Sequence, residues 1–163
     1  MKFKLVPAAP DEFGVVERAQ RAVPLVPGAE DDCCARLMSR LDLPSRDVAR
    51  TWLTFLRALD LAAETPSGFR RTDVEPTVAG CRAALIDRVF AAAAVRDALD
   101  DDPRTAVAVF ETVRGTVPAW ERHKNPSRWE SVWQERVEDL LGWLVLLDAA
   151  EQVDDEPARY VRR

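Results

Sequence analysis

Between residues 45 and 59 the chain sorts its side chains onto two faces. At about 100° per residue, Val48, Trp52, Phe55, Leu56 and Leu59 gather on one side, and Arg46, Arg50, Thr54 and Arg57 gather on the other. This spacing predicts an amphipathic helix with a buried stripe. Its start is marked by Pro44, which stops a preceding helix running from Asp31, and by Ser45, whose hydroxyl suits an N-cap. Beyond Leu59, Leu61-Ala62-Ala63-Glu64 and Phe69-Arg70-Arg71-Thr72 flank Thr65-Pro66-Ser67-Gly68, which predicts a short β-hairpin.

The remaining pattern extends this unit in both directions. Lys2 to Val6 alternates as an edge strand would, and Asp11 to Val23 carries Phe13, Val16, Ala19 and Val23 near a helical period until Pro24 to Gly28 ends it. Asp73 to Pro76 reads as a junction. Thr77 to Leu99 is predicted as one helix, and Asp100-Asp101-Asp102-Pro103 is expected to cap another that runs to about Arg114. Gly115 to Pro126, with Trp120 and His123, reads as a loop before a long amphipathic helix over Ser127 to Leu147. An acidic turn from Gln152 to Pro157 then precedes Arg159-Tyr160-Val161-Arg162-Arg163. Sliding the chain by 88 residues aligns Trp52, Leu53, Phe55, Leu56, Leu59 and Asp60 with Leu140, Leu141, Trp143, Leu144, Leu147 and Asp148. Ala-Glu, a turn and an aromatic followed by arginines recur after both, so the chain is read as a degenerate tandem repeat.

Helix, turn, helix and hairpin in this order resemble the winged helix-turn-helix family. The resemblance implies a mainly α fold with small β-hairpin wings, built of two winged-helix-like units over residues 1–75 and 76–163. In that family the second helix of the pair enters the major groove and the wing follows the phosphate backbone. Carried onto this chain, the resemblance places Ser45, Arg46, Arg50, Thr54 and Arg57 on the DNA-reading face and Ser67, Arg70 and Arg71 on the wing. The second copy differs. Its long helix buries Trp129, Trp133, Val137, Leu140, Leu144 and Leu147 while turning Glu130, Ser131, Gln134, Glu135 and Glu138 outward, with Asp139 at the margin. Carboxylates there would repel phosphate.

Charge sharpens that asymmetry. The net charge of -5 comes from 23 basic and 28 acidic residues. Residues 1–75 hold 11 basic and 12 acidic side chains, leaving 12 and 16 for the rest. DNA binding would therefore need a local patch on the first copy, because the global field is unfavourable. Lys2, Lys4 and Lys124 are the only lysines, and with abundant Asp and Ala this predicts a GC-rich, salt-adapted microbial source. Cys33, Cys34 and Cys81 are odd in number, and adjacent Cys33 and Cys34 are poorly placed to pair. Glu30, Asp31 and Asp32 disfavour a reactive thiolate beside them. His123 stands without other histidines, and no metal-ligand spacing, phosphate-cradling glycine loop or nucleophile elbow occurs.

The sequence thus predicts a cytoplasmic DNA-binding regulator that is not an enzyme and takes no cofactor or metal. It has no secretory leader and no apolar run near the roughly 18 residues needed to span a bilayer. Double-stranded DNA is the expected partner of the first unit. The second unit is expected to mediate homodimerisation or contact with another protein. The alternative reading is an interaction scaffold of tandem winged helices that does not bind DNA.

Overall fold

The computed structural model describes residues 2–163, with Met1 outside the described part. It divides into two compact units, the first ending at Val89 and the second beginning at Phe90.

In the first unit, α1 (Gly14–Ala22), α2 (Glu30–Leu41) and α3 (Arg46–Ala58) precede the hairpin β1 (Ala62–Thr65) and β2 (Gly68–Arg71), and α4 (Val78–Arg88) follows. Glu30, Asp31 and Asp32 occupy the first turn of α2, where carboxylates oppose the positive end of the helix dipole. The α2 helix ends on Asp42 in the left-handed region (φ 53°), and Ser45 caps α3 by accepting the Val48 N–H at 3.2 Å. On α3, Trp52, Leu53, Phe55 and Leu56 are buried, with Trp52 and Phe55 edge to face at 6.3 Å between ring centroids. Buried Gln20 on α1 donates to the carbonyls of Leu61 and Val74. One side chain thereby satisfies backbone on both sides of the hairpin.

The hairpin gains a third, one-residue strand. Gly28 and Phe69 exchange both backbone hydrogen bonds, at 2.9 and 2.8 Å, just before α2 begins. Gly68 lies so close to this crossing, at φ 130°, that a Cβ there would sit 2.4 Å from the Gly28 carbonyl oxygen.

The second unit contains α5 (Ala92–Asp97), β3 (Arg104–Thr105), α6 (Ala106–Val113), α7 (Ala119–Lys124), α8 (Trp129–Leu146), β4 (Ala150–Asp155) and β5 (Ala158–Arg162). Its sheet runs β3-β5-β4, all antiparallel. The first unit has the same arrangement, with the Gly28 bridge in the place of β3 and β2 in the place of β5. Phe110, Leu141, Trp143 and Leu144 are fully buried, and Trp133 meets Phe90 edge to face at 5.6 Å.

The 88-residue repeat extends to backbone detail. Asp60 and Asp148 are both left-handed, at φ 63° and 60°. Leu61 donates its N–H to Leu56, and Ala149 donates to Leu144, both at 2.8 Å. Each long helix is therefore joined to its wing by the same turn.

Several elements depart from the sequence reading. The helix expected over Thr77 to Leu99 is broken after Arg88, because Val89 takes extended backbone and bridges Phe3, and Ala91 is left-handed at φ 70°. That bridge is what remains of the strand expected over Lys2 to Val6. Asp100 to Pro103 do not cap the next helix. Asp100 binds Arg104 and the Asp102 N–H, and Thr105 caps α6 by accepting from Ala108. The stretch from Gly115 to Pro126, read as a loop, holds α7. The division between units falls after α4, whereas the sequence reading placed it after residue 75. The α4 helix packs on α3, and Arg88 donates to the Arg57 and Ala58 carbonyls at its end.

Gly68 provides a test of the crossing. Replacing it with alanine imposes a strained φ and a backbone collision, so Gly68→Ala is expected to lower stability by about 3 kcal/mol. Urea unfolding of the first unit's transition measures this. An unchanged midpoint would mean that the Gly28 segment yields freely.

Candidate nucleic-acid interface

The α3 helix fixes the candidate reading face. Its apolar stripe is buried, which leaves Arg46 and Arg50 exposed and Thr54 and Arg57 half-buried. Ser45, at the head of this face, has its hydroxyl engaged in the cap.

None of the three arginines on this face is without a carboxylate. Arg46 pairs with Asp31. Arg50 pairs with Glu30 at 2.8 Å and Asp47 at 3.4 Å, and the hydrogen bond it donates to Glu30, reinforced by that carboxylate's charge, pushes the guanidinium above its ordinary pKa. Arg57 pairs with Glu64 at 3.1 Å and lies over the rings of Phe3 and Phe69, each 5.8 Å away. The carboxylates that favour the start of α2 therefore also neutralise the N-terminal half of α3. These ion pairs are solvent-exposed, a class that contributes little to stability and is screened by salt. Arg46 and Arg50 can thus exchange a carboxylate for a phosphate at small cost, whereas Arg57 also has ring contacts to give up.

The wing divides the remaining candidates. Ser67 is exposed at the tip, in a turn where Thr65 Oγ1 accepts the Ser67 N–H and donates to the Gly68 carbonyl. Arg70 is half-buried and donates to the Arg71 carbonyl. Arg71 reaches back to α1, donating from Nε to the Val23 carbonyl at 3.0 Å and from Nη2 to the Arg21 carbonyl at 2.8 Å. It ties the wing to the end of α1. The structure thus groups Ser45, Arg46, Arg50, Thr54 and Arg57 on one helix and Ser67 and Arg70 on the wing, with Arg71 in a tertiary hydrogen-bond set.

In the second unit the exposed face of α8 is acidic, while the wing strand β5 carries Arg159 and Arg162, paired with Asp154 at 3.6 Å and Asp97 at 3.8 Å. Glu130, Glu135 and Glu138 are exposed on α8, and Asp139 beside them has its carboxyl raised, first by burial and then by Glu138 and Glu135. The strand β4 exposes Glu151, Asp154 and Asp155. Some arginines of this unit lie over tryptophan rings. The Arg136 guanidinium is 4.6 Å from the Trp133 centroid, and Arg122 is 4.9 Å from that of Trp129. Trp129 and Trp133 are core residues, while Trp120 is exposed.

Cys33, Cys34 and Cys81 are free and buried. Burial raises the pKa of all three thiols, that of Cys81 to about 11. Among the described residues no group of His, Cys, Asp and Glu is placed to hold a metal ion, and no helix is long and apolar enough to cross a membrane.

A family model described as the halobacterial double winged helix domain matches residues 1–163. No curated protein and no solved structure matches the chain.

The buried thiol gives a pH dependence whose sign follows from proton counting. Between its ordinary value near 9 and about 11, folded Cys81 keeps a proton that the unfolded chain releases, so stability falls as pH rises through this window. Urea midpoints from pH 8 to 11 should fall more steeply for the native chain than for Cys81→Ala. Parallel declines would mean that burial does not hold this thiol protonated.

Proposed function

The chain belongs to the halobacterial double winged helix domain family, and from that premise we propose that its first unit is a DNA-binding module of a regulator. The observation that carries this reading is the contrast between the two long helices. The α3 helix exposes Arg46 and Arg50 held only by exchangeable surface carboxylates, whereas α8 exposes carboxylates. Binding begins with the wing, through Ser67 and Arg70, against the phosphate backbone. The α3 helix then enters the major groove. As it does so, Arg46 and Arg50 leave Asp31 and Glu30, and Arg50 grips guanine through its two parallel N–H groups. Thr54 and Arg57 follow farther along the helix. The acidic second unit stays off the DNA and serves homodimerisation or contact with a protein partner.

One observation favours the second reading, a protein-contact scaffold. Arg46, Arg50 and Arg57 all sit among acids, so the face carries little net positive charge at rest. The two readings predict opposite consequences of removing those acids.

Duplex binding measured by fluorescence anisotropy across a salt series should give a log–log slope of about -3 to -5 for three to five phosphate contacts. The Glu30→Gln, Asp31→Asn double variant frees the arginines and is expected to tighten binding about two- to fivefold at low salt. Arg50→Ala should weaken binding to a selected site more than binding to random duplex. If the native chain and the acid-free variant both ignore duplex at low salt, the DNA reading fails and the scaffold reading takes its place.

A further inference from the structure

Arg21 and Arg40 stand apart from the other arginines of the first unit. Arg18, Arg46, Arg50, Arg57 and Arg88 have carboxylate partners, and Arg36, Arg70 and Arg71 donate to backbone carbonyls. Among the described residues, the guanidinium groups of Arg21 and Arg40 have no acceptor within hydrogen-bonding or ion-pairing distance. Both line one small cavity of about 230 Å³, and its third wall is Arg18.

Each of the two has an ordinary reason to be basic. Arg21 lies in the last turn of α1 and Arg40 in the last turn of α2, where cations oppose the negative end of the helix dipole. That accounts for each arginine singly, not for their meeting. Helix ends are surrounded by solvent into which like charges can diverge, yet here three exposed arginines from two helices line one space. Among the described residues, the one carboxylate paired with these three is the exposed Glu12, 3.7 Å from Arg18. A further guanidinium, that of Arg71, is bound to the Arg21 carbonyl next to the site. Guanidinium donors arrayed in planar forks suit the tetrahedral oxygens of a phosphoryl group, and an anion of that kind would relieve their mutual repulsion.

We propose that the cavity between α1 and α2, lined by Arg18, Arg21 and Arg40, is a phosphoryl-group binding site separate from the α3 reading face. Its ligand is a phosphate carried either by the backbone of a duplex or by a free phosphorylated small molecule. The site does not depend on α3 reading DNA, and its recognition needs no base contact.

The test uses the full chain with inorganic phosphate as the probe, titrated calorimetrically at constant ionic strength against a chloride background. Binding with a Kd of about 1 mM or tighter is expected, and Arg21→Ala, Arg40→Ala should weaken it at least tenfold. Arg36→Ala, on the same helix but outside the cavity, should leave it unchanged. These positions are exposed, and a retained urea midpoint verifies folding. No phosphate binding by the native chain, or equal binding by the double variant, overturns the proposal. A duplex arm separates the sources. If the double variant also loses duplex affinity and its salt slope shrinks by about 2 units, the ligand is the DNA backbone. If phosphate binding is lost while duplex affinity is unchanged, the ligand is a free phosphorylated compound. A chain that binds phosphate but no duplex upholds this site while refuting the reading of α3.

Discussion

In each unit the chain must leave the C-terminus of a buried helix and enter a strand of its own sheet within three residues. A left-handed residue is what permits so short a reversal, and Asp60 and Asp148 supply it at φ 63° and 60°. The next residue's N–H returns to the carbonyl five positions back, closing the helix end in the same way in both units. This joint fixes the angle between the long helix and its wing. A helix whose apolar stripe is buried and whose wing is set by the joint has one free face, so the composition of that face decides what the unit can bind.

The two copies share this scaffold and diverge in its surface. On α3 the exposed residues are arginines answered by carboxylates from α2 and β1, a balanced arrangement that a polyanion can unbalance because exposed pairs are weak. On α8 no such exchange is open, since exposed Glu130, Glu135 and Glu138 would meet phosphate with like charge. Arginines of the second unit are partly withdrawn against tryptophan rings instead. The two units thus differ in one respect at this position, ion-paired arginines on α3 and exposed carboxylates on α8.

How much of this was legible in the sequence follows from the range of the forces involved. The stripe from Trp52 to Leu59, the Ser45 cap and the first hairpin are local patterns that the structure carries, the hairpin strands to within one residue, whereas the acidic turn read from Gln152 to Pro157 is strand β4 as far as Asp155. The break at Val89 was not legible, because Phe3 pairs with it from the far end of the unit and alanine-rich sequence favours helix on both sides. The α7 helix was hidden by Pro118 and Pro126, which punctuate a stretch whose middle is still helical. The pairing of Arg46 with Asp31, and of Arg50 with Glu30, joins two helices whose crossing no single-helix wheel contains. Arg71 reads as a wing cation by position, yet its tie to Val23 and Arg21 depends on where α1 ends.

The distribution of unpaired charge therefore carries more information than the count of arginines. A surface in which nearly every guanidinium has found an acceptor has met its own electrostatic demand, and the few that have not mark where an outside group is missing. Among the described residues of the first unit those few are Arg21 and Arg40, at the ends of the two helices that precede α3. Arg21 precedes the helix-turn-helix and Arg40 ends its first helix, and the helix dipole accounts for each of them separately. Only their convergence, together with Arg18, is left without a cause internal to the fold, and an anion supplies one.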